Sequence, residues 1–339
     1  MRFFITLAVF MLVTSVPFGA QARTMVVSDV RRIVSVSNPK ISPDGKQIVC
    51  LLTRADYQNN SEKTDVLLID IATSAQRVLT YGRDEVSAPQ WSPSGDRIAF
   101  IAREGESESA QPQVYVMPLS GGDVRKITNA PNGVSVFAWK PDGKSVAYVT
   151  ADEPWNKSAI AQGHDYFEVG DDPYLTTAAP SPLHLWVVAA DGHNAQRMTS
   201  GGWSLATPDV AAPLSWAPDG REIVLARVPT PHTGDGQYST IAVVDVATKH
   251  VRKLTSHTHF EGYGSFSPDG SKVAYWYNLN GDSMNEGNVF VAPAQGGDGV
   301  NIQRNLDRDV NGAVWMPDGK AMLIGAPDGT RVSLWVQPL

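Results

Sequence analysis

The chain is built from short apolar runs that are separated by turn-forming residues. Representative runs are Asp96–Ile101, Val114–Met117 and Lys272–Trp276, which combine β-branched and aromatic residues. Runs of this kind between clusters of Gly, Pro and Asp are typical of β-strands. Helical periodicity is almost absent beyond residue 22, so the pattern predicts an all-β protein.

A turn motif ending in Pro-Asp-Gly, or Pro-Ser-Gly in its second copy, recurs six times, with its prolines 50, 48, 77, 50 and 49 residues apart. Proline pre-sets the first turn position, Asp suits the second and Gly takes the position that needs a positive φ, so each copy predicts a tight hairpin. The turn residues are Pro43, Asp44 and Gly45, then Pro93 and Gly95, then Pro141, Asp142 and Gly143, then Pro218, Asp219 and Gly220, then Pro268, Asp269 and Gly270, and finally Pro317, Asp318 and Gly319.

Further strands follow each hairpin, for instance Ile241–Asp245 and the short Val251–Thr255. Four short strands in every repeat of about 49 residues are the signature of a β-propeller blade. An aromatic residue stands two positions before the proline in five of the six repeats. We expect this residue to pack between neighbouring blades rather than to stack on a ligand.

The strand count predicts five complete blades and a sixth with only three strands, at 311–316, 320–324 and 331–336. A propeller removes exposed sheet edges by closing its ring. In one alternative, Arg23–Val30 supplies the missing strand and closes a six-bladed ring. In the other, Ser28 and Asp29 cap a short helix and the ring stays incomplete, which is the outcome we favour.

The long 77-residue spacing predicts an insertion at about 152–182 in blade three. Insertions between blade strands emerge at a rim or face, where binding residues tend to lie. This segment is therefore the first place to look for function.

The first 22 residues predict a signal peptide: Arg2, an apolar run over 3–13, and a cleavage site after Ala22. We therefore expect a periplasmic or secreted propeller domain over 23–339, with no membrane anchor. The net charge of −7, from 28 basic and 35 acidic residues, argues against a nucleic-acid partner. The single cysteine, Cys50, lies in a strand-like run and is predicted to be buried.

Three segments of the sequence resemble the propeller of exported prolyl-oligopeptidase-family serine peptidases of the dipeptidyl-peptidase and acylaminoacyl-peptidase type. They are Asp29–Gly45, Phe167–Thr177 and Pro182–Trp186. The hairpin repeats are also similar to those of TolB-like periplasmic propellers. The peptidase resemblance implies a C-terminal α/β-hydrolase domain that carries the catalytic Ser, Asp and His.

We find no such hydrolase domain in the sequence, which has no G-x-S-x-G motif. The nearest string, Gly202–Ala206, ends in Ala, and its Ser204 is predicted to be a loop residue. The chain alone is therefore expected to be catalytically inactive.

The leading functional hypothesis is a substrate-gating propeller that positions peptides for a hydrolase domain supplied by a longer or separate chain. The alternative is a self-contained TolB-like propeller that binds a periplasmic protein and catalyses nothing. The two hypotheses differ in partner, a peptide substrate in the first and a folded protein in the second.

Three acidic residues of the insertion, Glu168, Asp171 and Asp172, are the candidate substrate contacts. In the dipeptidyl peptidases that the chain resembles, two adjacent glutamates on a propeller insertion hold the N-terminal amine of a peptide. This chain has no Glu-Glu pair there, so Asp171-Asp172 or Glu168 would take their place, and the alternative is a solvated or turn-capping role. A metal site at His257, His259 and Glu261 is less favoured than a polar loop between blades. We expect no cofactor and no metal.

Overall fold

The structure is a computed structural model that describes residues 24–81, 83–104, 110–170, 172–173, 176–206, 214–303, 306, 308–310 and 312–339. The predicted signal peptide and Asp171 lie outside the described residues. The described chain forms six antiparallel sheets in chain order, so the predicted all-β propeller is confirmed. None of its helices has the length and apolar character needed to cross a membrane.

The first three blades each contain four strands, joined in sequence order by antiparallel pairing. Blade one contains β1 (Val34–Ile41), β2 (Gln47–Asp56), β3 (Ser61–Asp70) and β4 (Gln76–Val78). Blade two contains β5 (Asp84–Trp91), β6 (Arg97–Arg103), β7 (Gln113–Pro118) and β8 (Arg125–Lys126). Blade three contains β9 (Val136–Trp139), β10 (Ser145–Ala151), β11 (Leu183–Ala189) and β12 (Gln196–Arg197).

The remaining blades follow the same order, except that the first strand of blade four is in two pieces. Blade four contains β13 (Ser204–Leu205), β14 (Ser215–Trp216), β15 (Glu222–Val228), β16 (Thr240–Asp245) and β17 (Val251–Lys253). Blade five contains β18 (Glu261–Phe266), β19 (Lys272–Asn278), β20 (Gly287–Pro293) and β21 (Val300–Asn301). Blade six contains β22 (Gly312–Trp315), β23 (Ala321–Asp328) and β24 (Arg331–Pro338).

Short helical segments lie outside the blades. They are the α-helices α1 (Val27–Val30) and α2 (Lys157–Ile160) and the 3₁₀ segments Thr233–Tyr238 and Leu279–Gly281. The sequence prediction for Ser204 was wrong, because this residue pairs with Val228 in β13 instead of lying in a loop. Its buried hydroxyl accepts the Leu183 N–H at 3.0 Å and donates to the Leu205 carbonyl at 2.8 Å.

The six hairpins share one geometry. The turn glycine has a positive φ in each of them, 72° at Gly45, where a Cβ is disfavoured. In five hairpins the carboxylate of the turn Asp accepts the backbone N–H of the residue two positions later. In the sixth hairpin, for example, the Lys320 N–H lies 3.0 Å from the Asp318 carboxylate. In the second hairpin Ser94 replaces this Asp, and the following Asp96 accepts the Ser92 hydroxyl at 2.8 Å.

The aromatic residue two positions before the turn proline, present in five of the six repeats, packs between blades, as the repeat pattern predicts. Three of these tryptophans also donate their indole N–H to a carbonyl in the first strand of the preceding blade. The bonds run from Trp91 to Lys40 at 2.9 Å, from Trp216 to Ala138 at 3.3 Å and from Trp315 to Ser265 at 3.2 Å. First strands therefore lie beside one another, which places them at the centre of the propeller, where the blades converge.

A buried threonine fastens the third and fourth strands in each of the first three blades. Its hydroxyl accepts a backbone N–H of the third strand at 2.9 Å and contacts a polar side chain 15 residues earlier in the sequence. The threonines and these partners are Thr80 with Asp65, Thr128 with Gln113, and Thr199 with His184. The repeat thus contains a second fixed polar feature besides its hairpin.

Blade four departs from this arrangement. The equivalent N–H, at Ile241, is accepted by Glu261 at 2.7 Å rather than by Thr255. The Thr255 hydroxyl donates to the same carboxylate at 2.6 Å. A buried Glu therefore completes the fastening in this blade.

The ring is not joined between its last and first blades within the described residues. Five clusters of buried apolar side chains link consecutive blades from one to six, and none links blade six to blade one. The outer strand β24 leaves Val332 and Leu334 each 67% exposed. The proposed closing segment ends in helix α1, where the Asp29 carboxylate accepts the Val26 N–H at 2.9 Å. This agrees with the predicted incomplete ring.

Candidate functional site

The two ends of each blade differ in what they carry. Because the strands alternate in direction, the hairpin turns lie at one end, while connections from the second to the third strand lie at the other. That second end, here called the insertion face, carries the segment 152–182, the loops 229–239 and 279–286 in blades four and five, and the inter-blade loop 255–260. It is the face with long, irregular connections, and so the better place for a binding site.

The insertion leaves the sheet after Ala151 and rejoins it at Leu183, and its two ends are fastened together. The Asp152 N–H donates to the Pro182 carbonyl at 2.8 Å. The Asp152 carboxylate accepts the Arg197 guanidinium at 2.8 Å. The insertion therefore starts from a fixed stem on blade three.

A fully buried histidine, His184, lies under this stem. Its Nδ1 is 3.0 Å from the Thr199 hydroxyl and its Nε2 is 3.2 Å from the Gly201 carbonyl. Burial lowers the pKa of His184 below its ordinary value of 6.5, although the nearby Asp152 carboxylate opposes the shift. The imidazole is therefore held neutral at pH 7, and it acts as part of the blade fastening.

The middle of the insertion is tied to blade four by Asp172. One carboxylate oxygen accepts His232 Nδ1 at 2.7 Å, and the other accepts the Thr233 N–H at 2.6 Å. The Asp172 side chain is 1% exposed, whereas that of His232 is 41% exposed. Burial raises the pKa of the Asp172 carboxyl, but the bonds from Thr233 and His232 outweigh it and hold that pKa below its usual range. The insertion is thus anchored at its stem and at its middle.

The structure gives the predicted site residues different positions. Glu168 is exposed on the insertion. Asp172 is buried and both of its oxygens are engaged, which is a tethering arrangement. Asp171 lies outside the described residues. The partner His232, 60 residues after Asp172, was missed because nothing in the sequence marks a contact over that distance.

Large apolar side chains are exposed on the same face. Trp155 and Tyr166 of the insertion are 81% and 82% exposed, and Met284 of the blade-five loop is 89% exposed. The insertion therefore exposes both aromatic side chains and the Glu168 carboxylate, the two kinds of group that bind the apolar side chains and the charged amine of a peptide.

The His257 and Glu261 pair is a structural element rather than a ligand cluster. His257 Nδ1 lies 2.8 Å from Glu261, and its ring stacks on Tyr277 at 3.8 Å between centroids. His259 lies apart from them, with its ring 4.9 Å from that of Tyr238. Across the described ranges, no three His, Cys, Asp or Glu residues are arranged to hold a metal ion.

The comparisons with known proteins agree with this geometry. Residues 18–165 match the family model of the TolB beta propeller domain. The chain is 26% identical over 326 residues to dipeptidyl-peptidase 5 of Porphyromonas gingivalis, covering 88% of this chain and 46% of that protein. It is 25% identical over 258 residues to the uncharacterized peptidase YuxL of Bacillus subtilis, covering 76% of this chain and 32% of that protein. The chain thus spans less than half the length of these relatives.

Solved structures show the same fold. An acylaminoacyl peptidase from Pyrococcus horikoshii matches 91% of this chain and 45% of its own, with a TM-score of 0.65 and 16% identity. The β-propeller domain of the Trilobed protease from Pyrococcus furiosus, described as having an open velcro topology, matches 90% of this chain and 81% of its own, with a TM-score of 0.59 and 16% identity. The chain therefore contains a TolB-like β-propeller domain and is related in sequence to peptidases that include dipeptidyl-peptidase 5.

Proposed function

We propose that this chain is the substrate-gating propeller of an exported serine peptidase of the prolyl-oligopeptidase type, and that catalysis belongs to a hydrolase domain in a longer or separate polypeptide. The propeller restricts access to short or unfolded peptides and orients their N-termini. This role is one of positioning and not of chemistry. The similarity to dipeptidyl-peptidase 5 over a length that leaves more than half of that protein uncovered supports it.

The observation that carries the proposal is the doubly anchored insertion. Its stem is fixed by Asp152 and its middle by Asp172, while Glu168, which lies between these two anchors in the sequence, is exposed. A carboxylate on a fixed loop can hold a peptide ammonium group without a large loss of loop entropy. The insertion therefore has the rigidity and the charge that amine recognition requires.

Titration calorimetry with a tetrapeptide tests this function. We expect the free-amine peptide to bind and its N-acetylated form to bind at least about tenfold more weakly, because the charge-assisted hydrogen bond is lost. Glu168→Gln should produce a similar loss. Glu62→Gln is the control, because Glu62 is also exposed but lies in blade one. Equal binding of the two peptides, or equal effects of the two variants, would contradict the proposal.

The second candidate, a TolB-like propeller that binds a folded periplasmic protein, is favoured by the match of residues 18–165 to the TolB domain model. It predicts no measurable affinity for the tetrapeptide. It also predicts that a periplasmic protein co-purifies with the chain in a defined ratio and that the complex is unaffected by Glu168→Gln.

A further inference from the structure

A cavity of about 680 Å³ opens between blades five and six. Its walls come from the first two strands of each of these blades, with additional contacts from neighbouring strands. None of the described residues that line it carries a charge. A mostly apolar cavity of this volume falls within the range of about 300 to 1,000 Å³ found for small-ligand sites.

Four aromatic residues line the cavity: Tyr263, Tyr275, Trp276 and Trp315. Tyr263 and Trp276 meet edge to face, with ring centroids 5.2 Å apart and an interplanar angle of 81°. Trp315 faces the cavity from blade six and is held by its hydrogen bond to the Ser265 carbonyl. Rings set at right angles offer an incoming aromatic group both a face and an edge, which is the arrangement that aromatic pairs prefer.

The backbone of blade five directs Tyr263 toward this space. The pairing of β18 with β19 shifts register between Gly262 and Ser265, and Tyr263 has a φ of 54°, unusual for an aromatic residue. Asn38 and Ala88 occupy the same bulge position in blades one and two, with φ of 51° and 49°. The bulge therefore recurs in blades one, two and five, and among these the large ring at this position is what distinguishes blade five.

The first strands of the blades border a space at the centre of the propeller, here called the central channel, and the location of the cavity makes it accessible to a molecule there. The indole bonds place the first strands at the centre of the propeller, and the cavity is lined by the first strands β18 and β22. Tyr263 is 43% exposed, so its ring is available on that side. A peptide that enters the channel would meet this cavity with its side chains.

We propose that the cavity between blades five and six binds a large apolar side chain, preferably an aromatic one, of a peptide in the channel. The inference deepens the proposed function, because it gives the gating propeller a preference for peptides that contain such a residue. The uncharged lining excludes acidic and basic side chains, because burial of an unpaired charge is costly. A small side chain would leave most of the cavity unfilled.

The test uses N-acetyl-phenylalanine amide, compared with N-acetyl-alanine amide, in titration calorimetry. Neither probe has a free amine, so binding does not depend on Glu168. Gly312→Val should block the site: Gly312 lines the cavity, has no positive φ, and a Cβ built on it meets no atom within 4 Å. Gly202→Val is the matched control, since Gly202 has the same freedom outside the cavity.

We expect the phenylalanine probe to bind at least about tenfold more tightly than the alanine probe, and Gly312→Val to remove that preference while Gly202→Val keeps it. Tyr263→Ala, which removes an exposed ring, should weaken binding to a similar degree and serves as a second variant if Gly312→Val does not fold. Equal affinity for both probes, or an unchanged preference in a folded cavity variant, overturns the inference. Binding of the phenylalanine probe without amine-dependent tetrapeptide binding would retain the cavity and reject the N-terminal role of Glu168.

Discussion

Replacement of Thr128 by Val should destabilise blade two through one backbone group. Thr128 is 3% exposed, and its hydroxyl accepts the Val114 N–H at 2.9 Å and donates to Gln113 Oε1 at 2.7 Å. Valine has nearly the same shape but no hydroxyl, so the packing is retained and the Val114 N–H loses its acceptor. Gln113 Oε1 keeps a second donor, the Ala130 N–H at 2.9 Å. The loss is therefore concentrated on one buried donor.

A buried N–H without a partner costs about 1 to 3 kcal/mol. The additional methyl group gains at most about 0.8 kcal/mol from burial. We therefore expect the free energy of unfolding to fall by about 1 to 2 kcal/mol. With a urea m-value of about 3 kcal/mol/M, the denaturation midpoint would decrease by roughly 0.3 to 0.7 M.

Urea unfolding followed by tryptophan fluorescence measures this change. Thr128→Ser is the control, because it keeps the hydroxyl and removes only a methyl group, worth about 0.8 kcal/mol. Equal midpoints for Thr128→Val and Thr128→Ser would refute the reasoning.

Three further outcomes follow from the same contacts. Asp172→Asn should increase the rate of limited trypsin cleavage at Lys157 in the insertion several-fold. The thermal midpoint should remain almost unchanged, because the bond to His232 holds a loop rather than a blade. An unchanged cleavage rate would contradict the tether. The pKa of His184 is lower in the folded protein than in the unfolded chain, so the unfolded chain binds more protons below pH about 6.5. The stability of the fold should therefore decrease as the pH falls from about 6.5 through the folded pKa. His184→Gln should flatten this pH dependence in thermal melts between pH 7 and 5, and an identical slope in the variant would refute the reasoning. Fluorophosphonate probes should not label Ser204, since its buried hydroxyl is bonded in β13; stoichiometric labelling there would contradict this assignment.

The sequence was most informative where structure is decided locally. The hairpins at Gly45 and its equivalents depend on turn chemistry within five residues, and so the number and order of the blades could be predicted. The three-stranded sixth blade and the inter-blade tryptophans followed from the same repeat. The apolar residue followed by Thr after the fourth strand of blades one to four, as at Ile127-Thr128, was also visible in the sequence, but its role required the contact with Gln113, 15 residues away.

Contacts between distant segments could not be predicted. The Asp172 and His232 pair joins two irregular segments, whose approach depends on how blades three and four pack. Ser204 was assigned to a loop because a two-residue strand such as β13 has no recognisable pattern of its own. The cavity beside Tyr263 depends on a bulge and on two neighbouring blades, neither of which is encoded in the residues around position 263 alone.

The two ends of the blade series differ from its interior in their protection. The five complete blades end in outer strands of two or three residues, such as Arg125–Lys126, whereas the outer strand of the sixth has eight. The eight-residue outer strand of blade six can pair with a further strand along its whole length, whereas outer strands of two or three residues offer few backbone groups for pairing. Each interior blade also packs against two neighbours through buried clusters, whereas among the described residues blades one and six each share such a cluster with one neighbour. Because nearest-neighbour interfaces supply much of the stability of a repeat array, blades two to five are more strongly supported than blades one and six. The insertion with its anchors Asp152 and Asp172 is therefore attached to the part of the propeller best able to hold it rigid.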